Sequence, residues 1–198
     1  MTLKKISYLI LFLAVFLFSF HTLKGNWTNA GQNLISPVVT KVPSPIIAKI
    51  SPALPKTIVI TKLNVEAPIE AVQEDSAGRM DVPKDVYKAA WYSFGVKPGE
   101  SGKSVIAGHI NTPSFSPSIF YKLHELEIDD IISVIDEAGN SWNFKVREKA
   151  EFDSNTFPIS LVFGKSDMHL LNLITCSGTW VQGRQEYSKR LVVFSELI

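Results

Sequence analysis

The chain contains a single cysteine, Cys176, directly after the apolar run Leu170–Thr175. A cysteine thiolate is a strong nucleophile, so one isolated cysteine is a candidate for covalent acyl chemistry. A free cysteine also packs well as a small buried hydrophobe, which is the alternative interpretation. The chemical groups that the fold brings next to Cys176 distinguish these two possibilities.

An arginine is expected beside this cysteine. The run Leu170–Thr175 and the later run Leu191–Leu197 are both typical of strands, with a predicted loop at residues 177–189 between them. If the two strands pair antiparallel, Cys176 lies next to Arg190. A guanidinium in that position favours the thiolate and stabilises an oxyanion that forms when the sulfur attacks a carbonyl.

A proton carrier for the leaving group is also needed, and imidazole is the usual one. His109 ends the strand-like run Ser104–Gly108, where Gly108 lets a backbone or a substrate approach closely. A structural role for His109 stays open on spacing alone. The other three histidines fit less well. His21 lies in the apolar N-terminal segment, His124 lies in a Lys/Glu-rich stretch, and His169 lies about 23 Å along an extended strand from the cysteine.

The N-terminus has the pattern of a membrane anchor. Lys4 and Lys5 precede residues 6–20, of which 13 of 15 are apolar, and the segment continues to Leu23. As a helix, these 18 residues span roughly 27 Å, close to the thickness of a bilayer core. The pattern predicts a signal-anchor helix at residues 1–23, with a cleaved signal peptide as the alternative. The positive-inside rule then puts the N-terminus in the cytoplasm and the rest outside.

Composition separates a linker from a domain. Residues 24–55 include a stretch with five of the eleven prolines, which predicts an extended spacer. Residues 56–198 carry 15 basic and 19 acidic side chains, a net charge of about −4 that argues against a nucleic-acid surface. One cysteine and scattered histidines lack metal-ligand spacing, so neither a metal nor a cofactor is expected.

Residues 56–198 have a pattern typical of short strands separated by turns, with one short helix or helical turn at residues 117–127. This pattern predicts an all-β barrel or sandwich. The predicted strands are residues 57–60, 65–72, 104–107, 131–136, 142–148, 170–175 and 191–197.

Three sequence motifs resemble the His, Cys and Arg signatures of the sortases, the cysteine transpeptidases of Gram-positive-type cell surfaces. They are Val105-Ile-Ala-Gly-His109, Leu173-Ile-Thr-Cys176 and Tyr187-Ser-Lys-Arg190, in the family's order. The resemblance covers roughly residues 56–198, and an N-terminal anchor with a linker is also usual in the family. Asn172 stands where the Cys motif often begins with threonine. The end of the chain at Ile198 favours the N-terminally anchored class over the pilin-building one.

The resemblance implies an eight-stranded β-barrel with one or two short helices. It also implies that Cys176 attacks the Thr–Gly carbonyl of a sorting signal similar to Leu-Pro-X-Thr-Gly in surface proteins and forms a thioester. His109 then protonates the leaving amine and deprotonates the incoming one, while Arg190 holds the oxyanion or the substrate backbone. The acceptor is an amine of peptidoglycan or a pilin lysine. Some sortases have a calcium site, and the resemblance does not assign one to this chain.

Further residues are candidates for the substrate groove. In sortases the region before the Cys strand helps to form this groove, and core packing is the alternative for its apolar residues. Thr175 supports the site from behind, and Trp180 either covers the site or packs. The apolar candidates are Phe157, Pro158, Ile159 and Leu161. The alternative function for the whole chain is a membrane-tethered binding or adhesion barrel with an inert cysteine.

Overall fold

The computed structural model describes residues 51–198 and forms a closed barrel of eight strands. Around the barrel the strand order is β1-β2-β3-β4-β7-β8-β6-β5, and β5 pairs with β1 to close it. The predicted all-β, eight-stranded fold is confirmed. The strands are β1 Pro55–Ile60, β2 Val65–Val72, β3 Ala89–Tyr92, β4 Gly102–Gly108, β5 Ile131–Asp136, β6 Ser141–Asp153, β7 His169–Val181 and β8 Glu186–Leu197.

Helical structure between residues 51 and 198 is short. One α-helix, α1, covers Ile159–Phe163, and 3-10 turns cover Thr61–Leu63, Leu123–Glu125 and Ser154–Thr156. The helical segment predicted at residues 117–127 is therefore a single turn. No helix between residues 51 and 198 has the length and hydropathy needed to cross a bilayer. The predicted signal-anchor at residues 1–23 lies outside the described residues, as does most of the predicted linker.

The prediction of a loop over residues 177–189 is wrong. β7 continues to Val181 and β8 begins at Glu186, so only residues 182–185 connect them. Gly178 lies at a bulge in β7: its φ is +79°, and the β7–β8 register shifts between Ser177 and Trp180. A bulge accommodates a positive φ without ending the pairing. Trp180 therefore lies on a strand.

Alternation along β7 gives the barrel wall two different faces. Leu171, Leu173 and Thr175 are buried on the inner face, where the two leucines join the main core. Ile174 lies on the outer face and packs against a second cluster, which we call the outer apolar cluster. Its buried members are Val105, Val162 and Val192, and its partly buried members are Met80, Tyr92, Phe152, Phe157, Phe163, Ile174 and Phe194.

The first described residues contact the barrel. β1 begins at Pro55, one residue before the predicted start of the domain, and the Lys97 ammonium donates a hydrogen bond to the Pro52 carbonyl at 2.5 Å. The backbone N–H of Ala53 donates to the Asp136 carboxylate at 3.1 Å. Asp136 therefore joins the chain before β1 to the end of β5.

Asp136 is 2% exposed and accepts four kinds of hydrogen bond, which makes it a stability determinant. Its donors are the Ala53 N–H, the Asn140 N–H and side-chain amide, and the Trp142 indole N–H. Burial by itself would raise the pKa of the Asp136 carboxyl, but these donors together hold that pKa well below its ordinary value.

We expect Asp136→Ala to lower the free energy of unfolding by roughly 3 kcal/mol, because several part-buried donors lose their acceptor. A carboxyl with a depressed folded pKa contributes stability above its unfolded pKa, about 4, and loses that contribution as the pH falls toward the folded pKa. Urea unfolding at pH 7 and pH 3 measures both effects. The variant should show a smaller loss between these pH values than the wild type. Glu137→Ala, at an exposed neighbour, is the control.

Candidate active site

Strand register places the three predicted catalytic residues side by side. Cys176 and Arg190 are direct partners in the antiparallel β7–β8 pair. On the other side of β7, β4 runs parallel to it and pairs up to Ala107 opposite Ile174. Two residues beyond this pair, in the direction in which β4 and β7 both run, His109 is level with Cys176. With neighbouring strands roughly 5 Å apart, cysteine lies between histidine and arginine.

All three side chains belong to the outer face of the barrel wall. Thr175 and Leu191, which precede and follow the Cys–Arg pair, are buried in the interior, so alternation turns Cys176 and Arg190 outward. A Cβ built on Gly108 would meet the buried Phe120 ring, so position 108 also faces the interior. His109, the next residue, then faces outward with the other two.

Thr175 and Gly108 join the histidine and cysteine strands from behind. The Thr175 hydroxyl donates a hydrogen bond to the Gly108 carbonyl at 2.8 Å, and both residues are buried. The Phe120 ring occupies the space where a side chain at position 108 would lie, at 2.5 Å from an ideal Cβ. Glycine at this position therefore allows the aromatic ring to pack directly beneath the end of β4.

The electrostatic environment of Cys176 has opposing contributions. Burial of the half-buried thiol raises its pKa, the Arg190 guanidinium lowers it, and the Glu186 carboxylate raises it. Glu186 acts at close range on the arginine, since its carboxylate accepts a hydrogen bond from Arg190 Nη2 at 3.0 Å. Arg190 Nη1 also donates to the Tyr187 carbonyl. These contacts orient the guanidinium along β8.

Two substitutions should change the thiol reactivity in opposite directions. Glu186→Gln removes a negative charge that raises the Cys176 pKa, so the variant should alkylate faster at pH 7. Arg190→Ala removes a positive charge that lowers the same pKa, so alkylation should be slower. The rate of reaction with iodoacetamide between pH 6 and 10 measures both. Equal profiles for the two variants would contradict this assignment of charges.

The apolar groove candidates lie on the outer face, in two environments. Phe157 is packed against Phe152 with ring centroids 5.9 Å apart, within the outer apolar cluster. Ile159 and Leu161 belong to α1 and are 67% and 48% exposed, so their side chains are accessible to a ligand. Pro158 precedes the first residue of α1. The cluster continues through Ile174 to within two residues of Cys176.

Trp180 belongs to a small aromatic group at the end of the β7–β8 hairpin. Its ring makes edge contacts with Tyr187 at 5.4 Å and with Phe115 at 5.7 Å between centroids. The Tyr187 hydroxyl accepts a hydrogen bond from the Asn111 side-chain amide at 2.7 Å. Trp180 thus packs against the chain that follows His109 while remaining 37% exposed.

Sequence reasoning missed several residues around the site. Glu186 is one, although its spacing of four from Arg190 places both on the same face of β8 and could have indicated it. Met80 and Pro83 are others. Met80 packs against the outer apolar cluster, and the Pro83 carbonyl lies 3.0 Å from Nε2 of His109. No periodic pattern in the segment between β2 and β3 indicated that it reaches the histidine.

A separate cavity of about 330 Å³ lies on another part of the barrel. Its lining comes from residues 63–67, Tyr87 and residues 117–122, and it includes none of the three predicted catalytic residues. Among residues 51–198, no three His, Cys, Asp or Glu side chains converge in a way that could hold a metal ion.

Solved structures with a similar fold are sortases. Sortase C1 of Streptococcus agalactiae shares 18% identity over 72% of this chain and 66% of its own, with a TM-score of 0.57. A lid mutant of sortase A of Corynebacterium diphtheriae shares 18% identity over 76% of this chain and 73% of its own, with a TM-score of 0.57. Sortase C-1 of Actinomyces oris shares 24% identity over 75% of this chain and 74% of its own, with a TM-score of 0.56. At these identities the similarity shows the fold.

The family is shown by the sequence itself. A model of the sortase domain matches residues 58–198, which is most of the chain and contains the whole region of the three motifs. A comparison with curated proteins found no match. Sortases are cysteine transpeptidases. The chain therefore belongs to the sortase family.

Proposed function

We propose that this protein is a transpeptidase that cleaves a C-terminal sorting signal similar to Leu-Pro-X-Thr-Gly and transfers the protein to an amine. Cys176 is the nucleophile, His109 the general acid and base, and Arg190 the group that stabilises the oxyanion or holds the substrate backbone. The main supporting observation is the placement of Cys176 between His109 and Arg190 on one face of three adjacent strands.

The first half-reaction forms the thioester. Because burial raises the pKa of Cys176, its resting form at neutral pH is the thiol, which needs a base as it attacks. His109 takes the thiol proton while the sulfur bonds to the threonine carbonyl carbon of the signal. Arg190, next to Cys176, stabilises the negative charge on the carbonyl oxygen. The C–N bond then breaks, and His109 donates its proton to the leaving amine.

The second half-reaction reverses these roles. An incoming amine attacks the thioester carbonyl, His109 accepts the proton that the amine loses, and the sulfur leaves and is reprotonated. Splitting the acyl transfer into two steps lowers each barrier, and the thioester retains enough reactivity for an amine to resolve it. Peptidoglycan amines and pilin lysines are the proposed acceptors.

The outer apolar cluster supports a binding site for the apolar residues of the signal. Ile174 leads from the cluster toward Cys176 along one face of β7, and the exposed side chains of Ile159 and Leu161 border it. We place Phe157 and Pro158 in the wall behind these residues. Thr175 fixes the end of β4 through its bond to the Gly108 carbonyl. Trp180 borders the site on the side of the β7–β8 hairpin.

The proposed location is the outer face of the cell membrane. Lys4, Lys5 and the apolar residues 6–20 support a single N-terminal span with a cytoplasmic tip. The Pro-rich stretch supports an extended linker that carries the barrel outward. Substrates that are themselves tethered at the surface would then be within reach of Cys176.

The test is direct detection of the acyl-enzyme. The full chain is incubated with a Leu-Pro-X-Thr-Gly peptide library, with and without an amine acceptor, and analysed by intact mass and peptide mapping. We expect an adduct on the peptide that contains Cys176, and a product joined to the acceptor when the amine is present. A folded chain that forms no adduct with any peptide and leaves its thiol unreactive would instead support a tethered binding barrel.

A further inference from the structure

The segment between β2 and β3, residues 73–88, has an ordered structure of its own. The Asp75 carboxylate accepts hydrogen bonds from the Ala77 and Arg79 N–H groups and from the Arg79 guanidinium, which closes a turn at Gly78. An isolated antiparallel bridge joins Glu74 to Met80 beyond that turn. The segment therefore forms a small hairpin rather than an extended connection.

This hairpin is attached to the catalytic face of the barrel. Met80 packs into the outer apolar cluster, and the Tyr92 hydroxyl donates a hydrogen bond to the Glu74 carboxylate at 2.5 Å. Further along the segment, the Lys84 N–H donates to the Glu70 carboxylate at 2.9 Å, and the Ser118 hydroxyl donates to the Val86 carbonyl. Pro83 lies between these attachment points, so its backbone is held from both sides.

The held carbonyl of Pro83 contacts the catalytic imidazole. Nε2 of His109 lies 3.0 Å from this oxygen. A carbonyl oxygen can only accept a hydrogen bond, so Nε2 must carry the proton. In the neutral ring the lone pair then belongs to Nδ1. The hydrogen bond of one ring nitrogen thus decides which nitrogen can act as the base.

We propose that the Pro83 carbonyl is a positioning group for the catalytic arrangement of Cys176, His109 and Arg190, which fixes the His109 tautomer and directs Nδ1 to the proton transfer. The proposal deepens the proposed function and rests on it. A backbone carbonyl here does what a carboxylate does for the histidine of a Ser-His-Asp triad. Proline suits this role because its ring fixes φ and so limits the directions that the carbonyl can take.

The proton path is complete with these groups. The thiol proton of Cys176 moves to Nδ1 as the sulfur–carbon bond forms, and Nε2–H keeps its hydrogen bond to the Pro83 carbonyl in the imidazolium. Nδ1–H then gives its proton to the leaving amine, whose C–N bond breaks. The incoming amine later gives a proton to Nδ1, which returns it to the departing sulfur.

The first measurement is the tautomer of His109 in the full wild-type chain, from the ¹⁵N and ¹H signals of the imidazole at neutral pH. We expect the Nε2–H form. Finding the Nδ1–H form would overturn the proposal. The measurement of the tautomer needs no substrate, so its result does not depend on enzymatic activity. Absence of acyl transfer by the wild type would contradict the proposed function, while the ring signals would still decide where the proton lies.

The second measurement loosens the segment without touching the catalytic triad. Ser118→Ala removes the hydrogen bond to the Val86 carbonyl, and Met80→Ala removes the anchor in the outer apolar cluster. We expect mixed tautomers and a kcat about tenfold lower in Ser118→Ala, part of the roughly 10²–10⁴-fold that a positioned acid–base group supplies. Its KM should change little. Ser118→Thr, which keeps the hydroxyl, should restore both.

Matched controls separate positioning from general damage. Ser133→Ala removes a serine hydrogen bond on β5, the one to Asn143, and should leave the tautomer and kcat unchanged. A lower kcat in Ser118→Ala with an unchanged tautomer would show a merely structural role and overturn the proposal. A higher kcat in Ser118→Ala and Met80→Ala would also overturn it, since the segment would then obstruct the site.

Discussion

Replacing Cys176 by serine is expected to abolish acyl transfer while the barrel stays folded. The hydroxyl is close to the thiol in size, and position 176 lies on the outer, half-buried face of β7 rather than in the main core. The expected loss in kcat/KM is on the order of 10⁴-fold or more, the range seen when a single nucleophile or base of a catalytic unit is removed.

The size of this effect follows from the surroundings of the sulfur. Burial raises the Cys176 pKa and the Arg190 guanidinium opposes that rise, and in the proposed mechanism His109 takes the thiol proton during the attack. A serine hydroxyl is a far weaker acid and needs a site built around a stronger base. We therefore expect the same two neighbours to support attack by sulfur but not by oxygen. Acyl transfer to an amine acceptor, followed by mass spectrometry, measures the loss.

The adjacent serine supplies the matched control. Ser177 follows Cys176 on β7, and alternation turns its side chain to the buried face of the strand, away from the reacting sulfur. Ser177→Ala should keep acyl transfer within a few-fold of the wild type. Comparable activity in Cys176→Ser and Ser177→Ala, with both proteins folded, would show that Cys176 is not the nucleophile.

The sequence was sufficient to predict the elements that carry the three candidate residues. Strand alternation and β-branched runs located β1, β2 and β5 closely, and the antiparallel pairing of β7 with β8 set Cys176 beside Arg190. These predictions succeed because each depends on a local period or on the pairing of consecutive strands. His109 needed the parallel pairing of β4 with β7, which spans 67 residues and which the family resemblance supplied.

The contacts that complete the site depend on tertiary structure and have no local signal. β3 has only four residues and was missed, because it is defined by its neighbours β2 and β4. The extension of β7 to Val181 was missed, because it continues past a bulge at Gly178 that only the pairing with β8 defines. The bond from His109 to Pro83 joins residues 26 positions apart across a segment without periodic structure.

Gly108→Ala is expected to damage both the stability and the chemistry, because one methyl group has no room there. An ideal Cβ at position 108 lies 2.5 Å from the Phe120 ring, which is fully buried. Overpacking of this kind costs about 1–3 kcal/mol in the free energy of unfolding. Relief requires a shift of Phe120 or of the end of β4, which carries His109 as the next residue.

Activity should fall further than the lost stability alone explains. In the proposed mechanism His109 exchanges protons with Cys176, and a displacement of about 1 Å in a catalytic group lowers the rate by roughly 10²-fold. We therefore expect Gly108→Ala to transfer acyl groups about 10²-fold more slowly at a temperature where it is fully folded. Thiol alkylation should change much less, because Cys176 and Arg190 lie on the other two strands.

A double substitution tests the cause. Phe120→Leu in the Gly108→Ala background shortens the ring that the new methyl group meets, so part of the lost acyl transfer should return, with a coupling that is non-additive as for residues in contact. Gly183→Ala, where a Cβ would meet nothing within 4 Å, is the matched glycine control and should behave as the wild type. Strict additivity of the Gly108 and Phe120 substitutions would mean that the ring does not determine the position of His109.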